Sequence, residues 1–284
     1  MDPFLKLIGS AKIPVGAGGK VFFNYLTTNF AWFFDTIAQG ATWMLDSLIG
    51  VFLWLPPELV IAAIAFVGWY FQRSWKLALG ITLGLLFIAN QGLWKESIET
   101  LVLVVTATAA SMLIGVPIGI WAAHNQRGYR LLQPVLDMMQ TLPTFVYLVP
   151  VLILFGLGMA PGLIVTVIFA APTPIRLTYL GIVSVPRPIL ESGIAFGATK
   201  WQLLWKIEFP AALPTIVAGL TQCIMLSLSM VVFAALIGAK GLGAPIVRAL
   251  NSVNVPLGLE AGLAIVVLAI ILDRTSRIGS PGVP

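Results

Sequence analysis

Long apolar runs separated by short polar interruptions dominate the chain, and the length of each run limits what it can become. The stretches 59–71, 77–93, 101–123, 141–157, 162–181, 215–236 and 257–272 are almost free of charge. Most approach the ~20 residues a helix needs to cross a hydrocarbon core about 30 Å thick, so they predict about seven transmembrane helices. Trp54, Trp69 and Tyr70 flank the first run at interfacial depth. Gly80 with Gly84, and Gly115 with Gly119, stand four apart in the second and third runs, where small residues let helix backbones approach closely. Pro143 and Pro150 fall inside the fourth run, and Pro172, Pro174 and Arg176 near the end of the fifth. Such prolines free backbone carbonyls that neighbouring helices or a wet cavity must satisfy, which favours a pathway over an inert anchor.

Before the first run the pattern differs. Asn24, Thr28, Asp35, Gln39, Thr42 and Asp46 recur at helical spacing on one face, while Phe22, Phe23, Phe30, Phe33, Trp43 and Leu45 fill the rest. Two carboxylates argue for an amphipathic helix lying in the interface. A true span whose polar stripe packs inside a bundle is the alternative. The expected organisation is an N-terminal extracytoplasmic segment over 1–55, a membrane domain over 56–275 and a short tail over 276–284. The whole is an all-α integral membrane protein.

The longest charged segment between two apolar runs is 186–212, extending to Pro214. Pro186 and Pro188 close one helix and open another, because proline suits a first helical turn. Gly197 is placed to end that short helix in the left-handed conformation. Thr199 with Gln202 three positions on forms a reciprocal capping box, predicting a second helix from about Lys200 to Phe209 that Pro210 ends. Glu191, Lys200, Lys206 and Glu208 would be costly in lipid, so this helix pair is expected outside it. Its exposed Trp201, Leu204 and Trp205 then need a partner surface.

Composition narrows the class. With 284 residues, 59% apolar and 10% charged, and a mean hydropathy of +0.99, the chain is too oily for a soluble domain of this size. The net charge of +5 is scattered through short loops instead of forming a stripe, which argues against nucleic acid. Cys223 is the single cysteine and His124 the single histidine, so neither a disulfide nor a metal site is expected, and His124 reads as a loop residue at the membrane surface. Residues 1–20 read as loop and lack the pattern of a removable signal peptide. Gly16, Gly18, Gly19 and Lys20 imitate a phosphate loop but fail, with Val21 where Ser or Thr must hold magnesium and Pro14 where the first glycine belongs. No catalytic constellation is visible, and the spans lack the ionisable residues that ion-coupled transporters place deep in the membrane. The energy source is therefore expected on a partner.

Glu191, Gly197, Ile207 and Pro210, at these intervals, resemble the cytoplasmic EAA loop of permease subunits of binding-protein-dependent ABC importers. Ser192 and Gly193 stand at the usual small positions, and Phe209 replaces the usual leucine. QTLPTFVYLVPVLILFGLG at 140–158, LSLSMVVFAALIGAKGLG at 226–243 and LAIILDR at 268–274 are similar to the glycine betaine, proline betaine, choline and carnitine permeases, over roughly 90–275. The resemblance implies a type I ABC importer permease fold in a bacterial cytoplasmic (inner) membrane. It also implies a homodimer, two ATPase subunits that hold the ATP and magnesium, an external binding protein that delivers a small quaternary amine, and no cofactor on this chain. ATPase coupling would fall to Glu191, Gly197, Thr199, Trp201, Leu204, Ile207 and Pro210. A self-sufficient secondary transporter or channel is the competing reading.

With the helix pair inside and seven spans, Arg73, Lys76, Arg127, Arg130, Arg176, Arg187, Lys200, Lys206, Arg274 and Arg277 fall on the cytoplasmic side. Lys6, Lys12, Lys20, Lys95, Lys240 and Arg248 fall outside, and this bias places the N-terminus outside and the C-terminus inside. Candidate pathway residues are Pro143, Tyr147, Gln222, Met225 and Ser229. Gln222 and Ser229 share a helical face near Ser227 and Met230, although interhelical hydrogen bonding and packing explain them equally well.

Overall fold

The computed structural model describes residues 14–276, and among these the chain forms helices and no strand. In order they are α1 (Val15–Asn29), α2 (Ala31–Trp54), α3 (Pro57–Gln72), α4 (Trp75–Asn90), α5 (Trp94–His124), α6 (Gln126–Thr141) and α7 (Thr144–Phe155). There follow α8 (Met159–Ala170), α9 (Pro172–Val183), α10 (Arg187–Ala195), α11 (Lys200–Leu203), a π-helical turn (Leu204–Glu208), α12 (Phe209–Leu236), α13 (Gly243–Ser252) and α14 (Val255–Ser276). Lys6, Lys12, Arg277 and nearly all of the 276–284 tail lie outside the described residues.

The spine is α5, which packs on α2, α8, α9 and α12. Close approach to α9 is possible because Gly115 and Gly119 face it. A Cβ on Gly115 would lie 2.7 Å from Pro174 Cγ, and one on Gly119 would lie 2.6 Å from Thr178 Cβ and 2.7 Å from the Ile175 carbonyl oxygen. The second contact is with backbone, which cannot swing aside. Gly119→Val is therefore expected to destabilise the protein by about 1–3 kcal/mol through overpacking, read as a lower melting midpoint in detergent. An unchanged midpoint would show that α5 and α9 separate there without cost.

Two hydrogen-bonded junctions define the ends of the bundle. At one end, Gly158 N–H donates to the Ile237 carbonyl at 2.9 Å and Leu242 N–H donates to Thr100 Oγ1 at 2.8 Å. These bonds gather the starts of α5 and α8 with the turn after α12. At the other end lie the C-terminus of α5 and the α10–α11 loop. The hairpin α3–α4 packs beside α14 through Ile61, Ile81, Leu85, Ala264 and Leu268. Gln72 Nε2 donates to the Arg274 carbonyl at 2.8 Å, so the turn carrying Arg73 and Lys76 meets the end of α14.

Several boundaries differ from the sequence expectation. Val15 begins a helix, so the loop read over 1–20 fails from that residue onward. The single amphipathic helix expected over 24–46 is divided at Phe30, and its second part, α2, is long and apolar enough to cross a membrane while burying only Leu45 and Ile49. Helix α5 starts at Trp94, not near residue 101, so Glu99 is inside it and buried. The fourth run is not one straight span. Its α7 has 12 residues and meets α6 at 100°, because Pro143 cannot donate its nitrogen to a continuing helix. The glycine-rich segment after α12, with Gly238 and Gly241 at positive φ, leads directly into α13. Among the described residues five helices can cross a membrane by length and composition, or six counting the bent pair, with α3 and α4 shorter.

Candidate functional site

The loop between α9 and α12 holds most of the polar groups singled out in the sequence. Helix α10 runs from Arg187 to Ala195, with Pro188 in its first turn. Gly197 follows at φ +76°, a left-handed value that a glycine adopts without steric cost. The capping box forms as predicted: Gln202 N–H donates to Thr199 Oγ1 at 3.3 Å, and Thr199 N–H donates to Gln202 Oε1 at 2.9 Å. The turn therefore has one geometry, set by local hydrogen bonds.

The second helix does not stop at Pro210. Lys200–Leu236 is one continuous 37-residue element, because the π-helical turn absorbs the proline. Phe209 N–H donates to the Leu204 carbonyl, five residues back, and the widened turn relieves the crowding that a proline ring brings to a regular helix. At 1.5 Å per residue this helix is about 55 Å long, well beyond a ~30 Å hydrocarbon core. The segment with Lys200, Lys206 and Glu208 can thus project past the membrane.

Side chains in this loop divide into two sets. Glu191, Trp201 and Trp205 face outward, joined by Ile194 and by Phe196, which is 92% exposed. Trp201, Trp205 and Phe209 form an aromatic ladder with ring centroids 5.4 and 5.1 Å apart. Leu204, expected to need a partner surface, instead packs with Phe209 on the core around Ile182, Ala212 and Ile216. Ile207 also turns inward. A Cβ on buried Gly193 would lie 2.4 Å from Ile207 Cδ1 and 3.0 Å from Leu203 Cδ1, so the absent side chain lets α10 rest on the second helix. Pro210 is exposed at the start of α12.

One contact at this end joins two residues far apart in the sequence. His124 ends α5 instead of sitting in a loop, and its Nε2 lies 2.9 Å from Oε2 of Glu208, a buried carboxylate closing the π-turn. They are 84 positions apart and no local pattern connects them. A cavity of about 720 Å³ lies beside them, lined by His124, Ile194, Ala198, Lys200, Trp201, Leu203, Leu204 and Glu208.

The proposed pathway residues do not form one cluster. Gln222, Met225 and Ser229 are exposed along one face of α12, whereas Ser227 and Met230 are buried, and Thr108 Oγ1 donates to Ser227 Oγ at 3.4 Å. Pro143 is exposed at the bend before α7. Tyr147 points into the protein: its hydroxyl donates to the Met139 carbonyl, tying α7 to α6 across the bend, and its ring meets Phe169 edge-on.

Comparison with known proteins agrees with this architecture. Residues 115–283 match the family described as binding-protein-dependent transport system inner membrane component. The chain is 42% identical, over 94% of both sequences, to a glycine betaine transport system permease protein of Bacillus subtilis. It is 43% identical to a glycine betaine/carnitine transport permease protein of Listeria monocytogenes, over 88% of this chain and 90% of that one. A glycine betaine/proline betaine transport system permease protein of Escherichia coli is 38% identical, over 98% of this chain and 77% of that one. A solved structure of the MetNI methionine ABC transporter in an inward-facing conformation superposes with a TM-score of 0.60 at 21% identity, over 65% of this chain and 92% of that one. The fold is therefore that of an ABC importer permease, and with relatives of this identity over nearly its whole length the chain belongs to the binding-protein-dependent transport system inner membrane components.

Proposed function

We propose that this chain is the membrane subunit of an ATP-driven importer for a small quaternary amine of the glycine betaine class. Its 42% identity to a glycine betaine permease over 94% of both chains is the observation that carries the substrate class. Helices α10 and α11 would receive the motion of two partner ATPase subunits, which hold ATP and magnesium. Closure of their nucleotide sites would displace the loop, and α9 and the 37-residue helix, both joined to it covalently, would tilt as levers. The loop lies inside the cell in this reading, with the N-terminus outside and the C-terminus inside. Gathering of Arg73 and Lys76 with Arg274 at one end of the bundle supports that orientation.

A second copy of the chain would cover the exposed face of α12, so that Gln222, Met225 and Ser229 flank a path between the two subunits. Uncharged polar and thioether side chains suit brief, weak contact with a cation. The binding protein outside would provide the selective site, where aromatic faces can hold a quaternary ammonium group.

The test is uptake of labelled glycine betaine by proteoliposomes containing this chain, its ATPase and its binding protein. Accumulation should require all three components and stop with an ATPase variant unable to hydrolyse ATP. Uptake that persists without the ATPase would instead favour a self-sufficient transporter. Calorimetric titration of the binding protein with glycine betaine, proline betaine, choline, carnitine and trimethylamine N-oxide would then assign the cargo.

A further inference from the structure

We propose that His124 is a positioning residue that clamps the π-turn and carries movement of the loop into α5. The loop is joined covalently to α9 and to α12, and it meets the spine of the bundle through side chains: Leu204 and Phe209 pack on the core that Ile120 and Ala123 also line, and among the described residues Glu208 is the one hydrogen-bonded directly to α5. His124 Nδ1 lies 2.9 Å from the Ile120 carbonyl, one turn back on α5. That carbonyl can only accept, so Nδ1 carries a hydrogen and the ring is oriented. Nε2 then faces Glu208 Oε2 at 2.9 Å, and the proton between these two atoms makes the contact.

The position of Glu208 gives this bond its consequence. It is the last residue of the π-turn, and its side chain is only 9% exposed. A π-turn inside an α-helix can shift toward α-helical bonding by moving one residue. Held only by the apolar packing of Leu204 and Phe209, which tolerates sliding, such a turn would absorb part of any displacement applied at α10 and α11. Holding Glu208 against α5 fixes the turn and passes the displacement to the helix that packs on α2, α8, α9 and α12. Lys200 lines the same cavity.

This inference rests on the importer reading for its meaning, but the clamp can be measured without it. In the purified permease alone, His124→Ala should speed hydrogen exchange of the 204–209 backbone amides by about tenfold, the loss expected for a hydrogen bond to a charged group. His124→Gln, whose amide can still donate to Glu208, should restore most of the protection. In the reconstituted transporter, His124→Ala and Glu208→Ala should each lower solute uptake per ATP hydrolysed by at least about fivefold. The double variant should be no worse than either alone, since both remove one interaction. Unchanged exchange in His124→Ala, no recovery with His124→Gln, or losses that multiply in the double variant would overturn the clamp. A wild-type complex showing no ATP-driven uptake would count against the importer reading, and the exchange data would still decide the clamp.

Discussion

Glu191→Lys is expected to abolish ATP-driven uptake while leaving the protein inserted at its normal level. Glu191 is exposed on α10 and forms no ion pair among the described residues, so its reversal removes nothing that holds the fold. Surface substitutions of this kind usually change stability by less than about 0.5 kcal/mol. The cost should fall on docking instead. Phe196, Trp201 and Ile194 are exposed on the same loop, and in the proposed assembly the ATPase would exclude water from them and from the Glu191 carboxylate. Reversing a charge that is buried on assembly leaves its counterpart unpaired, which costs roughly 2–5 kcal/mol. Loss of uptake by about 100-fold or more should accompany loss of the co-purifying ATPase. Membrane abundance by immunoblot and the melting midpoint should match the wild type. Glu191→Gln should fall between the two, because it removes the attraction without adding repulsion. Full uptake by Glu191→Lys would contradict the assignment of this face to the ATPase.

The parts of this loop that were legible in the sequence are those set by neighbours in the chain. Proline at 188, glycine at 197 and the Thr199–Gln202 pair each act within four residues, and each takes the predicted geometry. Apolar length is a one-dimensional property, and the run lengths predicted about seven membrane helices; among the described residues five, or six with the bent pair, are long and apolar enough to cross, while the first two runs form the shorter α3 and α4. What could not be read depends on distant contacts. A proline at 210 ends a helix in isolation, yet here a π-turn carries the helix through it, with Leu204 and Phe209 held on the core around Ile182. Leu204 therefore differs from Trp201 in exposure although both lie on one short amphipathic stretch. His124 looked like a surface loop residue because its partner is 84 positions away. In α2 the same polar stripe fits a surface helix or a crossing one, since Asp35, Gln39 and Asp46 are exposed in the single chain and only their surroundings distinguish the two.

Gly193→Leu should separate the two helices of the loop and reduce uptake by tenfold or more, and Ile207→Ala in the same chain should recover much of it. The space that a Gly193 side chain needs is occupied by Ile207 Cδ1, 2.4 Å from the Cβ position, and by Leu203 Cδ1 at 3.0 Å. Both atoms are ends of flexible side chains, so a single methyl can be admitted by a small rotation, and Gly193→Ala should be mild. A leucine adds three more carbons in a contact already full, an overpacking that typically costs about 1–3 kcal/mol. The rest of the membrane domain lacks this contact, so α10 should lift from α11 and the π-turn while the bundle stays intact. Ile207→Ala removes the colliding atoms and provides room for the leucine. Spin labels at Ser192 and Lys206, both exposed, would report the separation as a longer distance in Gly193→Leu and a return toward the wild-type value in the double variant. If the distance lengthens and uptake does not change, the angle between these helices has no part in coupling. If neither changes, the packing of α10 against Ile207 is not what holds the loop together.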